Sequence, residues 1–104
     1  MIKVFVSKEE IKIMGHSDYS MTQEDIVCSS ASSIFITTVN AIWRFNEKAI
    51  IYKHYEDKND DSLDYSLIII NDYDEITTKL LDNMIDLLKE LSKKYPKDII
   101  VKER

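Results

Sequence analysis

At 104 residues, with 44% hydrophobic and 32% charged residues, the chain suits one packed core and is too apolar to be disordered. A formal charge of −5 opposes direct binding of nucleic acid, where lysine and arginine must replace phosphate counterions, and favours basic partners. One cysteine excludes an internal disulfide or a zinc site of several thiolates, and two histidines leave little for metal work.

The longest uninterrupted apolar run, 67–70, is strand-sized, and no run approaches the roughly 18–20 residues of a membrane-spanning helix. The first six residues lack the basic-then-apolar build of a secretion signal. These features lead to the expectation of a cytosolic domain with no membrane contact.

Residues 1–7 alternate, with Ile2, Val4 and Val6 on one face, and residues 9–15 alternate again around Ile11 and Ile13. Two such runs around a polar turn at Lys8-Glu9 predict a β-hairpin. Residues 16–24 show no period and read as a loop. From 25 to 45 the chain has neither glycine nor proline, and Val27, Ala31, Ile34, Phe35, Thr38, Ile42 and Phe45 recur at helical spacing. Strand-preferring side chains at 34–39 argue the other way, but about twenty residues is too long for a strand, so a helix is expected. Thr22 and Asp25, or Asp25 alone, can accept from the free amides at its start.

Two further strands are expected at 49–55 and 63–70, joined by the turn formers at 57–61. Ile76, Leu80, Met84, Leu87, Leu88 and Leu91 then mark the clearest helix, with acids before it, lysines at its end and Pro96 beyond. Residues 99–101 fit a short edge strand. The order β-β-α-β-β-α-β predicts a single two-layer α+β domain over 1–104, helices packed on one face of a mostly antiparallel sheet.

Charge is uneven. Eight acids between positions 54 and 75 face Lys58 alone, which reads first as a solvated face and second as a surface for a basic partner.

Chemistry concentrates in residues 15–32. His16 falls where the second strand ends, and Cys28 falls early in the following helix. A thiol near a helix start lies close to free amides and the positive end of the dipole, which favour the thiolate. A nearby imidazole can take the thiol proton and return it to a leaving amine, and the same amides can hold an oxyanion. The competing reading is plain packing, since cysteine is among the most buried residue types. By the same weighing, Asp25 is a helix cap and Gly15 relieves a turn. His54 is an ordinary strand residue, and Trp43 and Phe45 belong to the core or to an oligomer contact.

Gly15-His16, a loop, then Asp25-Ile26-Val27-Cys28 and a helix of small residues carrying Ser32 resembles the ribosomal-processing cysteine protease family, Prp. The resemblance extends over the chain in size and element order, and its specific part lies in residues 15–42. It implies Cys28 as nucleophile, His16 as general base and acid, and Asp25 and Ser32 as supporting hydrogen-bonding groups. It implies no metal and no cofactor. It also implies a homodimer whose substrate is the N-terminal extension of large-subunit ribosomal protein twenty-seven, cut after an aromatic pair.

The family's loop carries glycines, whereas this chain has Ser20, Met21, Thr22 and Gln23 in their place, so glycine-based mobility does not transfer. Gly15, Asp18, Tyr19 and Met21 become the candidates to shape the substrate groove. The alternative is a non-catalytic ribosome-assembly module that binds a ribosomal protein through its acidic stretch, with Cys28 as core packing.

Overall fold

The computed structural model describes residues 1–15, 23–55, 59 and 65–104, and of 23–25 the backbone alone. Its elements are β1 (Ile2–Val6), β2 (Glu10–Met14), α1 (Gln23–Phe45), β3 (Ile50–Tyr55), β4 (Tyr65–Ile70), α2 (Glu75–Lys94) and β5 (Ile99–Glu103). The five strands form one sheet in the order β3-β4-β2-β1-β5. Three neighbouring pairs are antiparallel, and β1–β5 is parallel. The expected two-layer α+β arrangement is the one observed.

The register explains the core. Ile11 of β2 faces Ile68 of β4, which faces Tyr52 of β3, while Ile2 of β1 pairs with Ile99 of β5. Ile2, Val4, Ile11, Ile50, Ile68 and Ile99 are buried together against Val27, Ala31, Phe35, Val39 and Ile42 of α1 and Leu81, Met84 and Leu88 of α2. Removal of this apolar surface from water is what holds helices to sheet. Ser7 closes the first hairpin by trading hydrogen bonds with Glu10, its hydroxyl donating to the Glu10 carbonyl and accepting from the Glu10 amide.

Several sequence expectations shift. β5 is longer than expected and pairs along all of β1. The buried stripe of α2 is Thr77, Leu81, Met84 and Leu88, one residue away from the predicted phase at its start, and Ile76 and Leu87 are 45% and 40% exposed. The cause is the cap. Asp74 accepts from the Thr77 amide at 2.7 Å and from the Thr77 hydroxyl at 3.0 Å, so Thr77 enters the core with its polar groups satisfied.

Phe45 is 67% exposed rather than core. After Ile42 the next inward position is 46, and there the Asn46 amide donates to Asp72 and Asp74, tying the end of α1 to the start of α2. Ile26–Phe45 is also, against expectation, long and apolar enough to cross a membrane by length and composition. In this fold it is the core helix lying on the sheet.

Candidate active site

Gly15 follows β2 with φ of +115°. A Cβ at this position would stand 2.5 Å from the Met1 carbonyl oxygen and 3.0 Å from the Ile2 Cα, so only glycine lets the chain leave the strand this closely past the N-terminus. The expected relief of a turn by Gly15 is therefore observed. His16, Asp18, Tyr19 and Met21 lie outside the described residues, as does the side chain of Asp25.

Cys28 occupies the second turn of α1, half-buried and packed on the edge of the core. The helical amides left without internal acceptors are those of 23–25, one turn earlier. Helical side chains lean toward the N-terminus, so a thiol at 28 covers that turn rather than its own. It is neither sealed in the core nor fully in solvent, and so combines partial exposure with helix-start amides.

The surroundings of Cys28 are small: Ser29, Ser30, Ala31, Ser32 and Ser33 follow it. The Ser30 hydroxyl donates to the Ile26 carbonyl at 2.9 Å, and that of Thr38 donates to Ile34 at 2.8 Å, so these hydroxyls are absorbed by the helix itself. Ser32 is exposed one turn beyond Cys28 on the same stripe, and Ile36 continues that stripe.

Beside this stripe a cleft of about 190 Å³ opens between α1 and the sheet. Ile13, Phe35 and Ile36 form its apolar walls, and Ser32, Tyr52, His54 and Ser66 supply polar groups. The C-terminal ends of β2 and β3 and the N-terminal end of β4 meet here, because Ile13 pairs with Ser66 and Ser66 with His54. The Ser66 hydroxyl lies 2.8 Å from His54 Nδ1, and the Tyr52 hydroxyl donates to Ser66 at 3.4 Å. The Tyr52 ring is held by Phe35, with centroids 5.8 Å apart, and edge-on by Trp43 at 6.4 Å.

Reading the sequence left His54 as an ordinary strand residue because no partner lies near it along the chain. Its partner comes from cross-strand register. The β3–β4 register places 54 opposite 66, and no motif along the chain encodes it. The acidic stretch, where described, is largely engaged in the fold: Asp72 and Asp74 accept from Asn46, and Glu75 pairs with Lys79.

A lone thiol on a small-residue helix, beside a cleft at the strand ends of a two-layer domain, fits the class of thiol peptidases. The sequence model of a family described as cysteine protease Prp matches residues 1–100. The chain belongs to that family and is a cysteine protease.

Among solved structures, the Staphylococcus aureus ribosomal processing protease Prp with a covalently linked product peptide is 22% identical, with a TM-score of 0.76 over 100% of both chains. The same protease with a substrate peptide is 21% identical at a TM-score of 0.78, again over 100% of both chains. SMU.848 from Streptococcus mutans is 19% identical at 0.79, covering 98% of this chain and 90% of that one. No curated protein sequence matches.

Proposed function

We propose that the protein is a ribosomal-protein-processing endopeptidase in which Cys28 is the nucleophile and His16 the general base and acid. The observation that carries this reading is arithmetic: a cysteine protease with a single cysteine has one candidate nucleophile, and Cys28 sits half-buried near a helix start, one turn before Ser32, which lines a cleft. Family membership also removes the non-catalytic alternative.

His16 takes the Cys28 proton, and the thiolate attacks the scissile carbonyl carbon. The carbonyl oxygen becomes an oxyanion that the amides of the first turn of α1 can hold. Collapse breaks the C–N bond, His16 protonates the leaving amine, and a thioester remains on Cys28. Water, deprotonated by His16, attacks the thioester. The acid is released and the thiol reforms. Asp25 and Ser32 support the site by hydrogen bonding.

The proposed substrate is the N-terminal extension of large-subunit ribosomal protein twenty-seven, processed in the cytoplasm. Its support is the family, the peptide-bound S. aureus structures and an acidic chain that suits a basic ribosomal protein. A homodimer belongs to the same reading. The face of the sheet opposite the helices mixes Phe5, Met14, Leu67, Ile69 and Ile51 with Lys3, Lys12, Lys53 and Lys102, so the proposal of a second copy rests on the family and not on an apolar face.

The test is mass spectrometry of the ribosomal protein's N-terminal peptide after incubation with wild type and with Cys28→Ala. One cut by wild type and none by the variant is expected. Cutting by Cys28→Ala overturns the nucleophile, and cutting by neither overturns the substrate.

A further inference from the structure

A net charge of −5 opposes nucleic acid only where the charges are mixed, and on the sheet they are not. Among the described residues, the face turned away from the helices carries Lys3, Lys12, Lys53, Lys102 and Arg104 against one acid, Glu10. Glu103, between Lys102 and Arg104, turns to the other face and pairs with Lys89 of α2.

Register orders these cations. Lys53 of β3 pairs with Leu67 of β4, Leu67 with Lys12 of β2, Lys12 with Phe5 of β1, and Phe5 with Lys102 of β5. One line across all five strands therefore reads Lys-Leu-Lys-Phe-Lys, its cationic positions two strands, or about 10 Å, apart. The outer two, Lys53 and Lys102, are exposed.

Aromatic rings flank the line. Lys12 Nζ lies 4.2 Å from the centroid of Tyr65, and Tyr55 stacks on Tyr65 at 4.6 Å. Because β4 runs between β2 and β3, these neighbours take opposite sides of Tyr65, and Tyr55, 40% exposed, ends the stack. Toward the β5 edge the Arg104 guanidinium stands 5.1 Å over Phe5, on a groove of about 230 Å³ that Lys12, Met14 and Glu10 also line. A space of ~150 Å³ already holds a benzene ring.

A row of lysines suits a chain of phosphates, and tyrosine or guanidinium planes stack bases of any sequence. An acidic peptide would use the row and leave the rings idle. Glu10 repels phosphate but accepts a hydrogen bond from a ribose 2′-hydroxyl, the group that DNA lacks.

We infer that this face binds single-stranded RNA, with phosphates along the lysine row, one base on Tyr55 and another in the groove beside Arg104 and Phe5. The helices and the cleft lie on the opposite face, so RNA and a peptide substrate can be held together.

The test is fluorescence anisotropy of the full chain with a labelled oligouridylate of about twelve nucleotides. Three phosphates on the row give a slope of about −2 in log affinity against log salt, so binding should weaken roughly twentyfold between about 50 and 200 mM salt. Lys53→Glu combined with Lys102→Glu, both at exposed positions, should weaken binding by about tenfold or more and flatten the slope to about −0.7. Tyr55→Ala should weaken it about tenfold and keep the slope. No binding at low salt, or affinity and slope unchanged in the double variant, overturns the inference. Oligodeoxythymidylate bound as tightly as the RNA overturns RNA as the occupant. Labelled polyglutamate bound as tightly, or full affinity in Tyr55→Ala, overturns nucleic acid in favour of an acidic protein. Peptide cleavage by the double variant should match wild type, and its loss would make the row part of the substrate site and overturn the assignment.

Discussion

Both helices lie on the same face of one sheet, yet they follow different rules. α2 is built to stay where it is. Asp74 caps its start, the Tyr95 amide donates to the Leu91 carbonyl at its end, Lys93 and Lys94 face the negative end of the dipole, and Glu75 pairs with Lys79 one turn on. Its apolar and charged residues fall on opposite sides.

α1 has no charged residue between positions 26 and 43, and its polar positions are serines, threonines and one asparagine. Ile26 and Ile36 are exposed on it. An uncharged helix with small side chains around its thiol lets a second backbone come close, whereas long charged chains would cover the approach. The same bareness gives α1 the length and composition of a membrane span. The contrast separates a helix that anchors from one that, in the proposed mechanism, presents the nucleophile.

The largest expected stability effect is on the anchoring helix. Leu88 is fully buried, and Leu88→Ala should cost about 2–5 kcal/mol through lost burial and the cavity left behind. Urea unfolding measures this. Below the unfolding transition, cleavage per folded molecule should match wild type. A loss of rate out of proportion to the folded fraction would break the division between the helices.

A smaller stability effect with a larger functional one is expected at Gly15. Alanine at this position must take a left-handed φ and push back the Met1 and Ile2 backbone, costing about 1–3 kcal/mol. The displacement falls on the residue from which His16 is carried, so kcat/KM should drop well beyond the change in Tm. Wild-type turnover in Gly15→Ala would show that the strand end does not position the histidine.

Element order, both helices and the layering were legible in the sequence because periodicity and length decide them. The phase of α2 was not. Hydrophobicity favours Ile76, but the Asp74 cap satisfies Thr77 and turns it inward. Likewise Phe45 reads as core until Asn46 is seen taking the inward position to reach α2. At the site, Gly15 and Cys28 stood out through a resemblance carried by local motifs. Tyr52, His54 and Ser66 did not, because what joins them is register across two strands, and no motif along the chain encodes it.

The cap offers the finest test of the contrast. Hydrogen bonding holds the Asp74 carboxyl below its ordinary 3.8, chiefly through the Thr77 amide, with the Asn46 side chain and the Thr77 hydroxyl adding to it. Asp74→Ala should lower Tm by about 5 °C at neutral pH and leave cleavage by the folded protein intact. The sign of the pH dependence follows from the direction of the shift. The folded carboxyl binds its proton less readily than the unfolded one, so its contribution is present above about pH 4 and is lost as pH falls through the lowered folded value. The Tm difference between wild type and Asp74→Ala should therefore be constant from pH 7 to 5 and narrow below 4. A difference that widens in acid would mean that the carboxylate does not stabilise α2. A matching fall in cleavage at neutral pH would mean that the link from Asn46 to Asp74 carries strain from the anchoring helix into the one that holds Cys28.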